Sequence, residues 1–220
     1  MKRFTTDWKP WLSFFSFLPA LALAGCPNPA DNVAPATVTE PAETLSPAGP
    51  DGTAQTGKIY TIGEESKFEF TGSKVTGSHD GGFKSFQGQF AVADGKLVPG
   101  EQTVEIDMQS IWSDNDKLTG HLKSEDFFSV EEFPASTFAI TEVEQNRNDS
   151  GAIVTGNLTL HGVTKNISFP AEVEVTDDQV TLKAEFFIKR FDFGIKYPGK
   201  ADDLIRDEVV IRLDVTANAD

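Results

Sequence analysis

Apolar and polar side chains alternate one by one through most of residues 58–220, and a period of two confines that region to β-strands with one dry and one wet face. In "VTLKAEFFIK", Val180, Leu182, Ala184, Phe186 and Ile188 share one side, and Thr181, Lys183, Glu185 and Lys189 take the other, with Phe187 the exception. Ile167, Phe169, Ala171, Val173 and Val175 alternate in the same way, as do Val209, Ile211, Leu213, Val215 and Ala217. Shorter stretches follow suit: Phe68 and Phe70; Phe86, Phe90 and Val92; Val104, Ile106 and Met108; Phe138 and Ile140; Val154, Leu158 and Leu160. The pattern predicts eight strands, with a further candidate at 59–62.

Turn-forming clusters separate the strands: "ADGK" at 93–96, "NRNDSG" at 146–151, "HGVTK" at 161–165 and "TDDQ" at 176–179. Short connections between alternating strands imply antiparallel pairing, so the region either closes into an all-β barrel or stacks as a sandwich. One segment breaks the rhythm. In "SDNDKLTGHLKSEDFF", 113–128, Asp114 or Asn115 is placed to cap a short helix carrying Leu118 and Leu122 on one face.

The dry face is phenylalanine-rich: the chain has 18 Phe against two Tyr and two Met. A small eight-stranded barrel either fills its interior with side chains or keeps a cavity for one elongated ligand. A cavity walled by Phe, Ile, Leu and Val would accept hydrocarbon and reject molecules that need many hydrogen bonds. Alternation fits a solid core equally well.

The other end of the chain concerns location. Lys2, Arg3 and Lys9 precede an apolar run from Trp11 to Ala24 that is too short to span a bilayer comfortably, and "LAGC" follows, ending at Cys26. Small residues directly before a cysteine resemble the bacterial lipobox, in which the thiol is acylated and cleavage makes Cys26 the new amino terminus. Cys26 is the only cysteine, so no internal disulfide explains it. The expectation is a signal peptide at 1–25, a lipid anchor at Cys26 and a domain held on a membrane of the bacterial cell envelope, facing the periplasm or the exterior. Residues 27–57 are rich in Pro, Ala, Thr and Gly, with no aromatic residue and no Lys or Arg, which predicts a disordered tether spanning on the order of 30 Å. Residues 1–25 hold three basic groups and one acid, so their removal takes the net charge from −15 to −17. Such a chain lacks the positive footprint of a nucleic-acid binder, and its acidity keeps an envelope protein soluble.

Few residues suggest reaction chemistry. His79, His121 and His161 lie about forty positions apart, without the local spacing of a metal site, and no cofactor is expected. Arg190 and Asp192 flank Phe191 on a spacing that would let guanidinium and carboxylate meet, either as a strand-end pair or as an anchor for a polar head. Asp126, Glu131 and Glu132 show no nucleophile-plus-base pattern.

From "GHLKSEDFFSVEEFPASTFAI" onward the chain resembles a known family. His121-Leu122, Ser124, Asp126-Phe127-Phe128 and Phe133-Pro134 with Phe138, then "GNLTLHGVTKNISFP", "IKRFDFGI" and "DEVVIRLDVTA", are similar to the YceI-like, polyisoprenoid-binding domains. "GGFKSFQGQF" at 81–90 resembles their earlier Gly-x-Phe and Phe-x-Gly spacing. The pattern departs at Thr119-Gly120, usually Arg-Asp, at Arg206, usually Gly, and at "IGEESKFEF". The resemblance implies a lipocalin-like antiparallel barrel of about eight strands with one short helix, over 58–220. It implies binding rather than bond-breaking, with a polyisoprenoid, isoprenoid quinone or fatty-acid-like amphiphile inside. The implied pocket is formed by Phe70, Phe90, Met108, Leu122, Phe127, Phe138, Leu158, Phe169, Phe186 and Ile188, with Trp112 closing one end and His121, Arg190 and Asp192 near a headgroup. Two other readings stay open: a ligand-free β-domain for adhesion or assembly, and an enzyme using His121 with Asp126 on an amphiphilic substrate. A homodimer is compatible with any of these.

Overall fold

The computed structural model describes residues 26–43, 57–98, 103–145 and 150–220. A short strand, β1 (Thr37–Thr39), precedes the alternating region. A long bent hairpin then rises through β2 (Lys58–Ile62) and β3 (Lys67–Lys74) and descends through β4 (Gly77–Phe83) and β5 (Phe86–Ala93). β6 (Lys96–Leu97) folds back on β5, and β7 (Thr103–Asp107) continues into β8 (Ile111–Ser113) through a 3-10 turn at Met108–Ser110. Helix α1 (Asp116–Leu122) leads to β9 (Ala135–Gln145), β10 (Gly151–Leu160), β11 (Val163–Val175) and β12 (Gln179–Lys189). The chain ends with β13 (Gly199–Lys200) and the long β14 (Asp203–Ala219).

Counting β2–β3, β4–β5 and β7–β8 as single bent staves, each stave pairs antiparallel with the next, and β14 returns to pair with β2 and β3. The result is a closed, eight-stranded, up-and-down barrel. Closure leaves the sheet without free long edges, as the alternation and the short turns lead one to expect. His161 and Gly162 join β10 to β11 with φ of 51° and 72° and Leu160 opposite Val163, the two-residue turn whose twist matches that of the strands. Asn115 caps α1, its side-chain oxygen accepting the Leu118 N–H at 3.1 Å, and Leu122 is buried on the inner face.

The expected tether needs correcting. Residues 1–25, expected to be a signal peptide, and residues 44–56 lie outside the described residues, but residues 26–43 pack on the barrel. β11 and β12 pair with each other only from Glu172↔Lys183 to Val175↔Val180. Beyond that level the N-terminal segment runs between them. Phe187 of β12 donates its N–H to Ala34 and accepts from Ala36, at 2.9 and 2.8 Å, and Thr37–Thr39 pairs with Asn166–Ser168 of β11. Asn157 then holds Ala42 through both its amide atoms, at 2.9 and 2.8 Å, and Lys165 reaches Glu40. Composition hid this because the segment is fixed by backbone hydrogen bonds, which Pro/Ala/Thr-rich chain can make as well as any other. Its Ala36 and Val38 pack against the main core, and Ala30 is buried as well.

Along the barrel the interior changes character. At the end holding β6 and the β11–β12 turn, Tyr60, Val92, Val154, Val173, Val180 and Ala217 are all buried in one packed plug. Tyr60 closes it, its hydroxyl donating to the Thr176 carbonyl at 2.8 Å. At the α1 end the staves surround a void.

Candidate functional site

The void is an apolar bore of about 210 Å³, far more than the ~10–15 Å³ that one water requires. Its floor is made of buried side chains, including Phe90, Phe169, Leu182 and Val215. Towards α1 its lining becomes half-exposed at Gly72, Phe128, Leu160, Ile205 and Val209, so the bore opens at that end. Phe169 and Phe186 stack at 4.1 Å and 10°, at the level where β11 and β12 part around the N-terminal segment. Gly81 lets the Phe70 ring lean across the wall, since a Cβ there would come within 2.5 Å of it.

Polar side chains at the bore are few, Glu69, Ser136, Thr137 and Arg190, and two of them are visibly engaged. Ser136 donates its hydroxyl to the Thr159 carbonyl at 2.8 Å. Arg190 is buried and spends its guanidinium on three main-chain carbonyls: Arg206 at 2.9 Å, Ile195 at 2.8 Å and Ile205 at 3.2 Å. Burial pushes its pKa down, opposed by the charge of Asp207. The bore therefore favours hydrocarbon and gives hydrogen-bonding solutes little to bind.

Nine of the residues expected at the pocket line it: Phe70, Phe90, Leu122, Phe127, Phe138, Leu158, Phe169, Phe186 and Ile188. Met108 and Trp112 do not. Met108 is buried, but the 3-10 turn breaks the alternation after Asp107, and its N–H donates to Pro134 outside the bore. On β8, Ile111 pairs with inward Phe83, which turns Trp112 outward against Gly82. Leu122, Phe127 and Phe128, from α1 and the loop after it, cover part of the end that Trp112 was expected to close.

The expected Arg190–Asp192 pair is also corrected, because Arg190 turns inward to its carbonyls and Asp192 is exposed. His121 stands on the rim: its Nε2 lies 2.8 Å from Asp126, and its ring meets Phe127 and Tyr197 edge-on at 4.9 and 5.1 Å. The nearby Ser124 hydroxyl donates to the His121 main-chain carbonyl rather than to the imidazole. His79 contacts Asp114 at 2.8 Å, and the ring of His161 contacts the Phe193 carbonyl at 3.2 Å, so the three histidines serve separate places. Sequence reasoning passed over Phe83, Phe128, Ile195 and Ile205 as lining residues. The last three lie in loops or at a strand start, where alternation gives no direction.

The YceI-like domain profile matches residues 60–217, and the chain belongs to that family. A UPF0312 protein of Pseudomonas putida is 34% identical over 152 residues, 64% of this chain and 78% of the relative. A UPF0312 protein of Pseudomonas fluorescens is 31% identical over 158 residues, 66% of this chain and 81% of the relative. Among solved structures, BcnA of Burkholderia cenocepacia superposes with a TM-score of 0.60 at 23% identity, over 70% of this chain and 96% of its own. A polyisoprenoid binding domain from Saccharophagus degradans gives 0.61 at 18% identity, over 74% and 99%. Both likenesses concern the fold.

Proposed function

We propose that this member of the YceI-like family takes up a long-chain amphiphile, a polyisoprenoid, isoprenoid quinone or fatty-acid-like lipid, with its apolar tail in the bore and its polar head at the rim. The observation that carries this reading is an apolar void open at one end of an otherwise packed barrel. Each methylene transferred into such a wall gains about 0.8 kcal/mol, so a prenyl or acyl tail supplies ample driving force before ordering costs are subtracted. The description of the Saccharophagus degradans neighbour as a polyisoprenoid binding domain supports the same ligand class. Binding without bond-breaking fits a lining with so few polar side chains. Acylation of Cys26 would keep the protein in the bacterial envelope beside its lipid source, the several chains on that one residue supplying stable attachment without a spanning helix.

The test is direct. The mature chain from Cys26 onward is purified from bacterial membranes, extracted with organic solvent and examined by mass spectrometry. A prenyl or acyl species in stoichiometric amount, beyond the chains bonded to Cys26, is the expected result. An extract empty of any such species, together with no uptake of added prenyl alcohol, would refute the reading in favour of a ligand-free domain.

A further inference from the structure

We propose that the rim bearing Cys26, Val75, Leu204 and Phe191 is the surface that lies on the bilayer, so that the bore opens toward the membrane. The inference rests on the tethered-binder reading above and adds to it an orientation and a contact face.

Two independent observations converge on that rim. The first is the position of Cys26. Its Sγ lies 3.3 Å from the carbonyl of Thr76, in the β3–β4 turn, and Arg206 at the start of β14 holds its carbonyl at 3.2 Å. Gly72 and Ile205, close by on the same two strands, line the open end of the bore. The residues that follow give little slack, since Ala30 is buried and Ala34 is already bonded to Phe187. A free coil would let the barrel wander tens of ångströms from its anchor. Here the attachment point is part of the mouth.

The second observation is where apolar surface is left open. Among the described residues the exposed large hydrophobic side chains are Val75, Leu204, Phe191 and Ile153. Scattered singly, such residues need no explanation. Three of them, however, share the open end: the Val75 N–H donates to the Leu204 carbonyl at 3.2 Å, and the Phe191 N–H donates to Asp207, three residues further along β14. Ile153 lies apart, on β10 towards the plug. At the opposite end of the barrel the β11–β12 turn presents exposed Asp177 and Asp178. Lipid anchor, apolar fringe and bore entrance thus face one way, and the plugged end faces the other.

The experiment uses the full chain, expressed in a bacterium that acylates Cys26 and reconstituted into phosphatidylethanolamine–phosphatidylglycerol vesicles. Leu204→Cys and Asp178→Cys are labelled separately with a fluorophore, and quenching by headgroup-level nitroxide lipid is measured. Val75→Cys reports the same face as Leu204→Cys from the neighbouring turn. The expected result is loss of most emission at 204 and 75 and retention of emission at 178. Equal quenching at both ends, none at 204 and 75, or a Cys26 peptide without acyl chains would overturn the proposal. A fluorescent prenyl alcohol added to the same vesicles separates the two readings. Uptake without quenching at 204 and 75 removes the orientation alone. Quenching there without uptake supports the orientation and removes the ligand.

Discussion

Val180 and Ile188 point inward from the same strand, β12, and both are buried, yet Val180 belongs to a solid plug and Ile188 to the wall of a void. The side chains are of one kind, so their chemistry does not explain the contrast. Their neighbours do. At the level of Val180, β12 pairs directly with Val175 of β11 on one side and Ala217 of β14 on the other. At the level of Ile188 it keeps β14, through Val209, but the N-terminal segment stands between it and β11. A barrel widens with each strand added to its circumference, and eight strands are just enough to fill with side chains. The inserted segment gives the upper wall a ninth stave. That extra width accounts for a hollow end and a packed end in one sheet.

If the packed end carries the stability and the hollow end the function, substitutions in the two should separate these properties. Tyr60→Ala, which opens a hole in the plug and leaves the Thr176 carbonyl without its donor, is expected to cost about 3–5 kcal/mol in urea unfolding. It should leave prenyl capture by the folded fraction unchanged; a cost below about 1 kcal/mol would break the comparison. Arg190→Met tests the border between wall and rim. Losing charge-assisted bonds to three main-chain carbonyls is expected to lower stability by about 2–3 kcal/mol in the same assay, and Arg190→Lys, whose ammonium lacks the fork, should not restore it. Leu158→Trp fills the bore. Its stability cost should stay within about 1–3 kcal/mol, while capture of prenyl alcohol, read by fluorescence titration, is abolished. If capture survives, the bore is not the binding site.

The smallest effect is expected at the rim. The hydrogen bond from Lys74, followed by those from Thr76, holds the Asp203 carboxyl below its ordinary range. A depressed carboxyl stabilises the folded form at neutral pH and loses that contribution as pH falls through its folded pKa. The protection of the Thr76 amide, whose N–H donates to Asp203 at 3.2 Å, should therefore fall in acid below the usual carboxylate range when exchange is measured against the intrinsic rate. The plug amides, such as those of Val180 and Ala217, should remain protected over the same interval. Uniform loosening of both ends would erase the distinction.

The alternation of Val209, Ile211, Leu213 and Val215 was legible in the sequence as an inward face, and all four line the bore. Period two fixes the direction of a side chain because the pleat does so for any residue. It says nothing about what stands across the interior, and so could not separate Ala217, in the plug, from Val215, at the void. Met108 and Trp112 were misplaced for a related reason: a 3-10 turn between β7 and β8 resets the face, and "DMQSIW" carries no Gly or Pro to announce it. The failed Arg190–Asp192 pairing has another cause. The guanidinium found carbonyls contributed by β14 and by the loop at Ile195, partners that only the closed sheet brings near.

The ninth stave lies outside the family-matched residues 60–217, and its contact with β11 joins Thr37 to Ser168 across most of the chain. A version trimmed to start at Lys58 would keep every hairpin and still leave a seam, with the backbone groups of Asn166–Ser168 and Phe187 stripped of their partners. Such a cut edge invites another chain to zip onto it, so the shortened protein should aggregate more readily than the longer one. Residues 26–43 are thus a plank of the vessel and, if Cys26 is acylated as proposed, the rope that would moor it as well.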